Sequence, residues 1–214
     1  MKKKLSQVVL IFCLFIFCSF INMAFSQDTK DARVSPGVKK AIDKKEGKYF
    51  KGIEVLTGYG LAKLKSQQGN YRVVPLFIGF DYDLKPLVNK KYLPLPGAFQ
   101  FVLEPFVSYV SSLNNNVEFG NNFLLKVGFL PETYKFQPYF KGGVGFIYMS
   151  QHTREQGSQF NFNQYAGFGA HFFLSKDLAF TLEYRFRHIS NADIEKPNKG
   201  INTNFSLFGL TKRF

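Results

Sequence analysis

Leu178-Ala179-Phe180-Thr181-Leu182-Glu183-Tyr184-Arg185-Phe186-Arg187-His188-Ile189-Ser190 is the stretch that decides the fold. Phe180, Leu182, Tyr184 and Phe186 fall on one parity, and Thr181, Glu183, Arg185 and Arg187 on the other. A period of two defines a strand with one oily and one charged face. If that strand crosses a bilayer, the charged face must turn inward, because a basic residue facing lipid near the midplane costs roughly 2 to 4 kcal/mol. A soluble lipocalin-like barrel has the reverse polarity, apolar inside and polar outside. The aromatic face here favours the membrane.

The same alternation recurs along the chain. After Gly52 no apolar run approaches the ~20 residues of a membrane helix. Instead, alternating segments fall at about 53 to 64, 71 to 83, 98 to 110, 116 to 129, 136 to 149, 160 to 174, 178 to 190 and 202 to 214. In the second, Val74, Leu76, Ile78, Phe80 and Tyr82 oppose Gly79, Asp81 and Asp83. In the fourth, Val117, Phe119, Phe123, Leu125, Val127 and Phe129 oppose Glu118, Gly120, Asn122, Lys126 and Gly128. Eight is the smallest usual strand count for a bacterial outer-membrane barrel, so the expected fold is all-β, an eight-stranded antiparallel transmembrane β-barrel. Glu54, Glu104, Glu118, Lys126, Lys141, Glu183, Arg185 and Arg187 should face the lumen and pair there. A barrel this small is filled by its own side chains, which argues against a pore. Tyr71, Tyr82, Tyr109, Tyr139, Tyr148 and Tyr184 are expected in interfacial girdles. Phe208, Leu210 and Phe214, on one parity at the chain's end, resemble the C-terminal strand signature of outer-membrane proteins.

The other end reads as a leader. Lys2, Lys3 and Lys4 precede an apolar run from Val8 to Phe25, and Ala24-Phe25-Ser26 offers small residues at the cleavage positions. Residues 1–26 are thus expected to be a signal peptide, 27–51 a basic lead-in segment and 52–214 the barrel. Both cysteines, Cys13 and Cys18, leave with the leader, which excludes disulfides and thiol chemistry from the mature chain. Without the three leader lysines, 25 basic residues face 15 acidic ones. That balance favours anionic lipid head groups.

Chemistry concentrates near the C-terminal end. His188 and Ser190 continue the parity of Phe180 to Phe186, and Asn202 shares the parity of Phe208, Leu210 and Phe214. If neither strand bulges, the three occupy one lipid-facing patch at the outer end of the seventh and eighth strands. A serine hydroxyl needs a base, and the base needs a third group to fix its tautomer. Ser190, His188 and Asn202 can fill these roles, with Asn191, Asn198 and loop N–H groups from Ala192 to Gly200 as donors to an oxyanion. Polar residues that merely cap a barrel rim are the plainer reading.

From Leu182 to Phe214 the chain resembles the lipid A 3-O-deacylase (PagL) family, through His188-Ile189-Ser190-Asn191-Ala192 followed by Pro197-Asn198-Lys199-Gly200-Ile201. The resemblance implies an outer-membrane barrel that hydrolyses an ester-linked 3-hydroxyacyl chain of lipid A. It makes His188 the base, Ser190 the nucleophile, and Asn191 and Asn198 supporting residues for the oxyanion or substrate. Two residues beyond Gly200 the family has an acid, whereas this chain has Asn202. An amide can orient an imidazole but cannot stabilise imidazolium with a full charge. Asp193 and Glu195 are substitutes only if their loop folds back, and Glu183 lies on the lumen parity.

The implied partners are lipid A or lipopolysaccharide and the outer membrane, with a homodimer open and no nucleic acid. No cofactor or metal is expected: His152 and His171 have no ligand partner at useful spacing. Two competing readings are a non-catalytic barrel for membrane integrity or surface binding, and a barrel that transfers an acyl chain to another lipid.

Overall fold

The computed structural model describes residues 49–66, 69–88, 95–111 and 116–214. The expected leader, both cysteines and nearly all of the lead-in lie outside the described residues. Eight strands follow in order: β1 Phe50–Leu64, β2 Gly69–Asp83, β3 Phe99–Val110, β4 Asn116–Gly128, β5 Phe136–Met149, β6 Phe160–Phe173, β7 Leu178–Ser190 and β8 Ile201–Arg213. β1 takes in Phe50 and Lys51, which the sequence reading gave to the lead-in.

Each strand pairs antiparallel with the next, and β8 returns to β1, closing the barrel. The seam runs from Gly52↔Arg213 to Leu61↔Asn204. We call the end where β1 begins and β8 stops the base, and the opposite end the rim. The ends of β1, β3, β5 and β7 and the starts of β2, β4, β6 and β8 lie at the rim, as do the connections at 150–159 and 191–200.

Alternation sorts the side chains as the sequence requires. Phe119, Leu125, Phe168, Leu182, Tyr184, Phe208 and Leu210 stand exposed on the outer wall. Glu54, Glu104, Glu118, Lys126, Lys141, Glu183, Arg185 and Arg187 are all buried in the lumen. They neutralise one another there. Toward the base, Lys126 reaches Asp81 at 2.8 Å and Glu54 at 3.4 Å, while Lys141 reaches Glu183 at 2.9 Å. Arg185 bonds Glu104 at 2.6 and 3.0 Å. Toward the rim, Arg187 bonds Glu118 at 2.8 and 3.3 Å. A buried charge without such a partner would be costly.

Two expectations change. Tyr71 and Tyr139 are inside the barrel, 0% and 2% exposed, and not in an interfacial girdle. Tyr71 shares its parity with Val73, Phe77 and Asp81, and its hydroxyl donates to Glu118. The Tyr139 hydroxyl donates to Glu183 at 2.7 Å. A phenol that finds a carboxylate inside has no such partner in lipid. The lumen is also less polar than the charged list implies, because Phe77, Phe106, Tyr165 and Phe205 fill its middle. Arg185 lies 4.6 Å from the Phe77 ring centre and Arg187 5.0 Å from that of Phe205. The arginines therefore bond carboxylates through their edges and lay their faces on rings.

Candidate active site

β7 carries His188 and Ser190 at its rim end, and both are half-buried on the outward parity. The β7–β8 pairing has no bulge, so His188 stands directly opposite Asn202. Their side chains meet, with His188 Nδ1 2.5 Å from Asn202 Oδ1. An amide oxygen only accepts, so Nδ1 is the donor in this contact, and in the neutral ring Nε2 is the nitrogen with the free lone pair. Ser190 lies one row rimward on the same strand face, about 6.6 Å along the backbone. It pairs with Phe162 of β6. The structure thus brings His188 and Asn202 into contact and sets Ser190 beside them.

Gly200 closes the other side of the imidazole. Its φ is +75°, a left-handed conformation that glycine adopts readily. A Cβ at this position would stand 2.7 Å from His188 Cε1 and 3.4 Å from Nε2. Any side chain here would have to push the ring aside.

Asn191 and Asn198 meet within the 191–200 loop. Asn198 Oδ1 accepts the Asn191 backbone N–H at 3.0 Å, and Asn198 Nδ2 donates to Asp193 Oδ1 at 3.0 Å. The Asn191 side chain is fully buried, donating to Glu195 O at 2.6 Å and accepting Asp193 N–H at 3.1 Å. One carboxylate oxygen of Asp193 also takes Lys196 Nζ at 2.7 Å. Asp193 and Glu195 therefore shape the loop, and the imidazole's side-chain partner is Asn202.

Four further features were not singled out from the sequence. Gln164 of β6 stands opposite His188 on the side away from Asn202 and is exposed. Its signal was a lone amide on the face of Phe160, Phe162 and Phe168. The other three are contacts from the β5–β6 connection, which braces the site loop. Gly157 N–H donates to Pro197 O at 2.6 Å and Lys199 N–H to Glu155 O at 2.8 Å. Gln156 Nε2 donates to Ile189 O at 3.3 Å. Contacts between distant loops leave no mark in local sequence pattern.

Among the described residues no group of histidine, cysteine, aspartate or glutamate could hold a metal. His152 is exposed in the β5–β6 connection, and His171 is inside with Nδ1 2.9 Å from Thr181 Oγ1.

A closed eight-stranded barrel with an oily outer wall and a self-paired charged interior is a β-barrel of the bacterial outer membrane. The family model for lipid A 3-O-deacylase (PagL) matches residues 77–211, and the chain belongs to that family. Among solved structures it is similar to the outer membrane enzyme PagL, with 21% identity and a TM-score of 0.55, covering 74% of this chain and 97% of that one. It is also similar to neisserial surface protein A, with 10% identity and a TM-score of 0.56, covering 77% and 97%. These likenesses show the shared barrel. A comparison with curated proteins finds no match.

Proposed function

We propose that the chain is a lipid A 3-O-deacylase, hydrolysing an ester-linked 3-hydroxyacyl chain through Ser190 and His188 at the outer-leaflet side of the lipid-facing wall. The observation that carries this reading is the His188–Asn202 contact beside Ser190 on an outward face, in a member of this family. A soluble ester would have no reason to visit that face. A membrane lipid already lies against it.

In this reading Nε2 of His188 takes the proton of Ser190 Oγ as the oxygen attacks the acyl carbonyl. Asn202 holds the ring through Nδ1–H and aims Nε2 at the serine. The tetrahedral oxyanion draws on N–H donors of the 191–200 loop, with the second amide hydrogen of Asn198 a side-chain candidate. Protonated Nε2 then returns its proton to the departing sugar oxygen. Water, activated by the same nitrogen, releases the acyl chain from Ser190. Asn202 supplies orientation without a counter-charge, so the imidazolium is less stabilised than beside a carboxylate.

Charge at the rim suits an anionic lipid. Lys63, Lys65, Arg154 and Lys199 are exposed on rim ends and rim connections. Their summed field attracts phosphorylated head groups to the rim.

The test is acyl release from purified lipopolysaccharide by the purified barrel in mixed micelles. Wild type should release a 3-hydroxy fatty acid, and Ser190→Ala and His188→Ala should lower the rate by about 10³-fold or more. Undiminished release by a folded Ser190→Ala variant would remove serine from the mechanism.

A further inference from the structure

Among the described residues the buried carboxylates are Glu54, Asp81, Glu104, Glu118, Glu183 and Glu155. The first five stand inside the barrel, each with a lysine or arginine in ion-pair contact. Glu155 differs. It lies in the β5–β6 connection at the rim, 1% exposed, and its Oε1 accepts the Ser66 backbone N–H at 2.7 Å. Its other oxygen, Oε2, has no partner, and among the described residues no basic side chain reaches either one. Ser66 Oγ is buried and unpartnered as well.

An ionised carboxylate buried without a counter-charge is costly, and the five inside the barrel avoid that cost. Glu155 is nevertheless held where it is. Its backbone O accepts Lys199 N–H at 2.8 Å, and the next two residues anchor the connection, Gln156 Nε2 on Ile189 O at 3.3 Å and Gly157 N–H on Pro197 O at 2.6 Å. Swinging the side chain out to solvent would give up Ser66, two residues past the rim end of β1. A cation brought to Oε2 removes the cost and keeps the contact.

We infer that Glu155 Oε2 and Ser66 Oγ bind a calcium ion that joins the rim end of β1 to the β5–β6 connection. Calcium takes oxygen ligands in flexible arrangements, with water filling the remaining positions, whereas magnesium demands a near-ideal octahedron that this sparse pair does not offer. The donor set contains a single acid. It is therefore distinct from a cluster of several acidic or imidazole side chains, which the described residues lack. One carboxylate makes a weak site, with Kd on the order of 10⁻⁴ to 10⁻³ M, the range of extracellular calcium modules. Because the Glu155 backbone also receives Lys199 N–H, the ion steadies the loop beside His188.

The experiment measures calcium binding by equilibrium dialysis, using the purified barrel stripped with a chelator in uncharged maltoside micelles free of lipopolysaccharide. Wild type should take up one calcium ion per chain in that range of concentration. Its heat-modifiable transition on gels should also move to higher temperature with calcium than with chelator. Glu155→Gln keeps the shape and removes the unpaired charge, so without calcium it should be at least as stable as wild type. It should bind calcium about tenfold more weakly or worse and lose the calcium-dependent shift. Ser66→Ala should weaken binding several-fold. A wild type that takes up no calcium at millimolar concentration overturns the site, as does a folded Glu155→Gln barrel that binds as tightly as wild type. A stronger response to magnesium than to calcium overturns the choice of ion. Neither readout needs turnover, so a barrel inactive on lipopolysaccharide would remove the deacylase reading and leave this result standing.

Discussion

At the scale of single residues, two positions set what His188 can do. Gly200 lies against the imidazole with positive φ, so Gly200→Ala brings both a left-handed backbone penalty and a Cβ pressed on Cε1. The penalty is about 1 kcal/mol, which an eight-stranded barrel tolerates. The displaced ring is the larger effect. Acyl release should fall by about 10²-fold, with heat-modifiable migration retained. A fully active Gly200→Ala would show that ring position does not limit turnover. Asn202 is the second position, because its amide fixes the tautomer yet brings no charge. His188, Ser190 and Asn202 were legible as one patch because parity is conserved along unbulged strands. Gln164 was overlooked although parity places it there too. Its row is settled only by pairing with β7, which sequence does not give.

At the scale of elements, the 191–200 loop beside His188 is held by its neighbour. The 191–200 connection has its own internal bonds through Asn191 and Asn198, and a second layer comes from Glu155, Gln156 and Gly157. Gln156→Ala deletes the donor to Ile189 O, the residue between His188 and Ser190. One such bond is worth about 1 kcal/mol. The predicted outcome is a several-fold fall in kcat with a smaller change in KM, read from initial rates on lipopolysaccharide micelles. An equal fall in kcat/KM carried wholly by KM would instead make the brace a lipid-binding feature. Strand boundaries were readable to within a few residues because turns are marked by composition. The two misplaced tyrosines show where that reading stops. Proximity to a segment end suggested a girdle, while parity and a carboxylate partner put Tyr71 and Tyr139 inside.

At the scale of the whole molecule, the barrel is stabilised from within by paired charges layered with rings. Arg187→Leu would leave the buried Glu118, toward the rim of the lumen, with no cation and only the Tyr71 hydroxyl, since a guanidinium bonded to both its oxygens is removed. Breaking a buried pair in this way costs roughly 3 to 5 kcal/mol. Urea unfolding followed by tyrosine fluorescence or gel mobility should show that loss, and adding Glu118→Leu should recover much of it. If the single variant is as stable as wild type, the pair does not support the fold. The charged interior was foreseen from alternation. Its aromatic middle was not, because Phe77, Phe106 and Phe205 resemble lipid-facing residues in composition and differ from them only in parity.

Ser190 and His188 are proposed to remove an acyl chain from lipid A in the membrane. The most direct measurement is mass spectrometry of lipid A from a host that lacks this activity, after expression of wild type, Ser190→Ala and Asn202→Glu. The expected result is loss of one 3-hydroxyacyl chain with wild type, no loss with Ser190→Ala, and fuller conversion with Asn202→Glu, where a carboxylate stabilises the imidazolium. Unchanged lipid A in cells carrying folded wild-type barrel would contradict it.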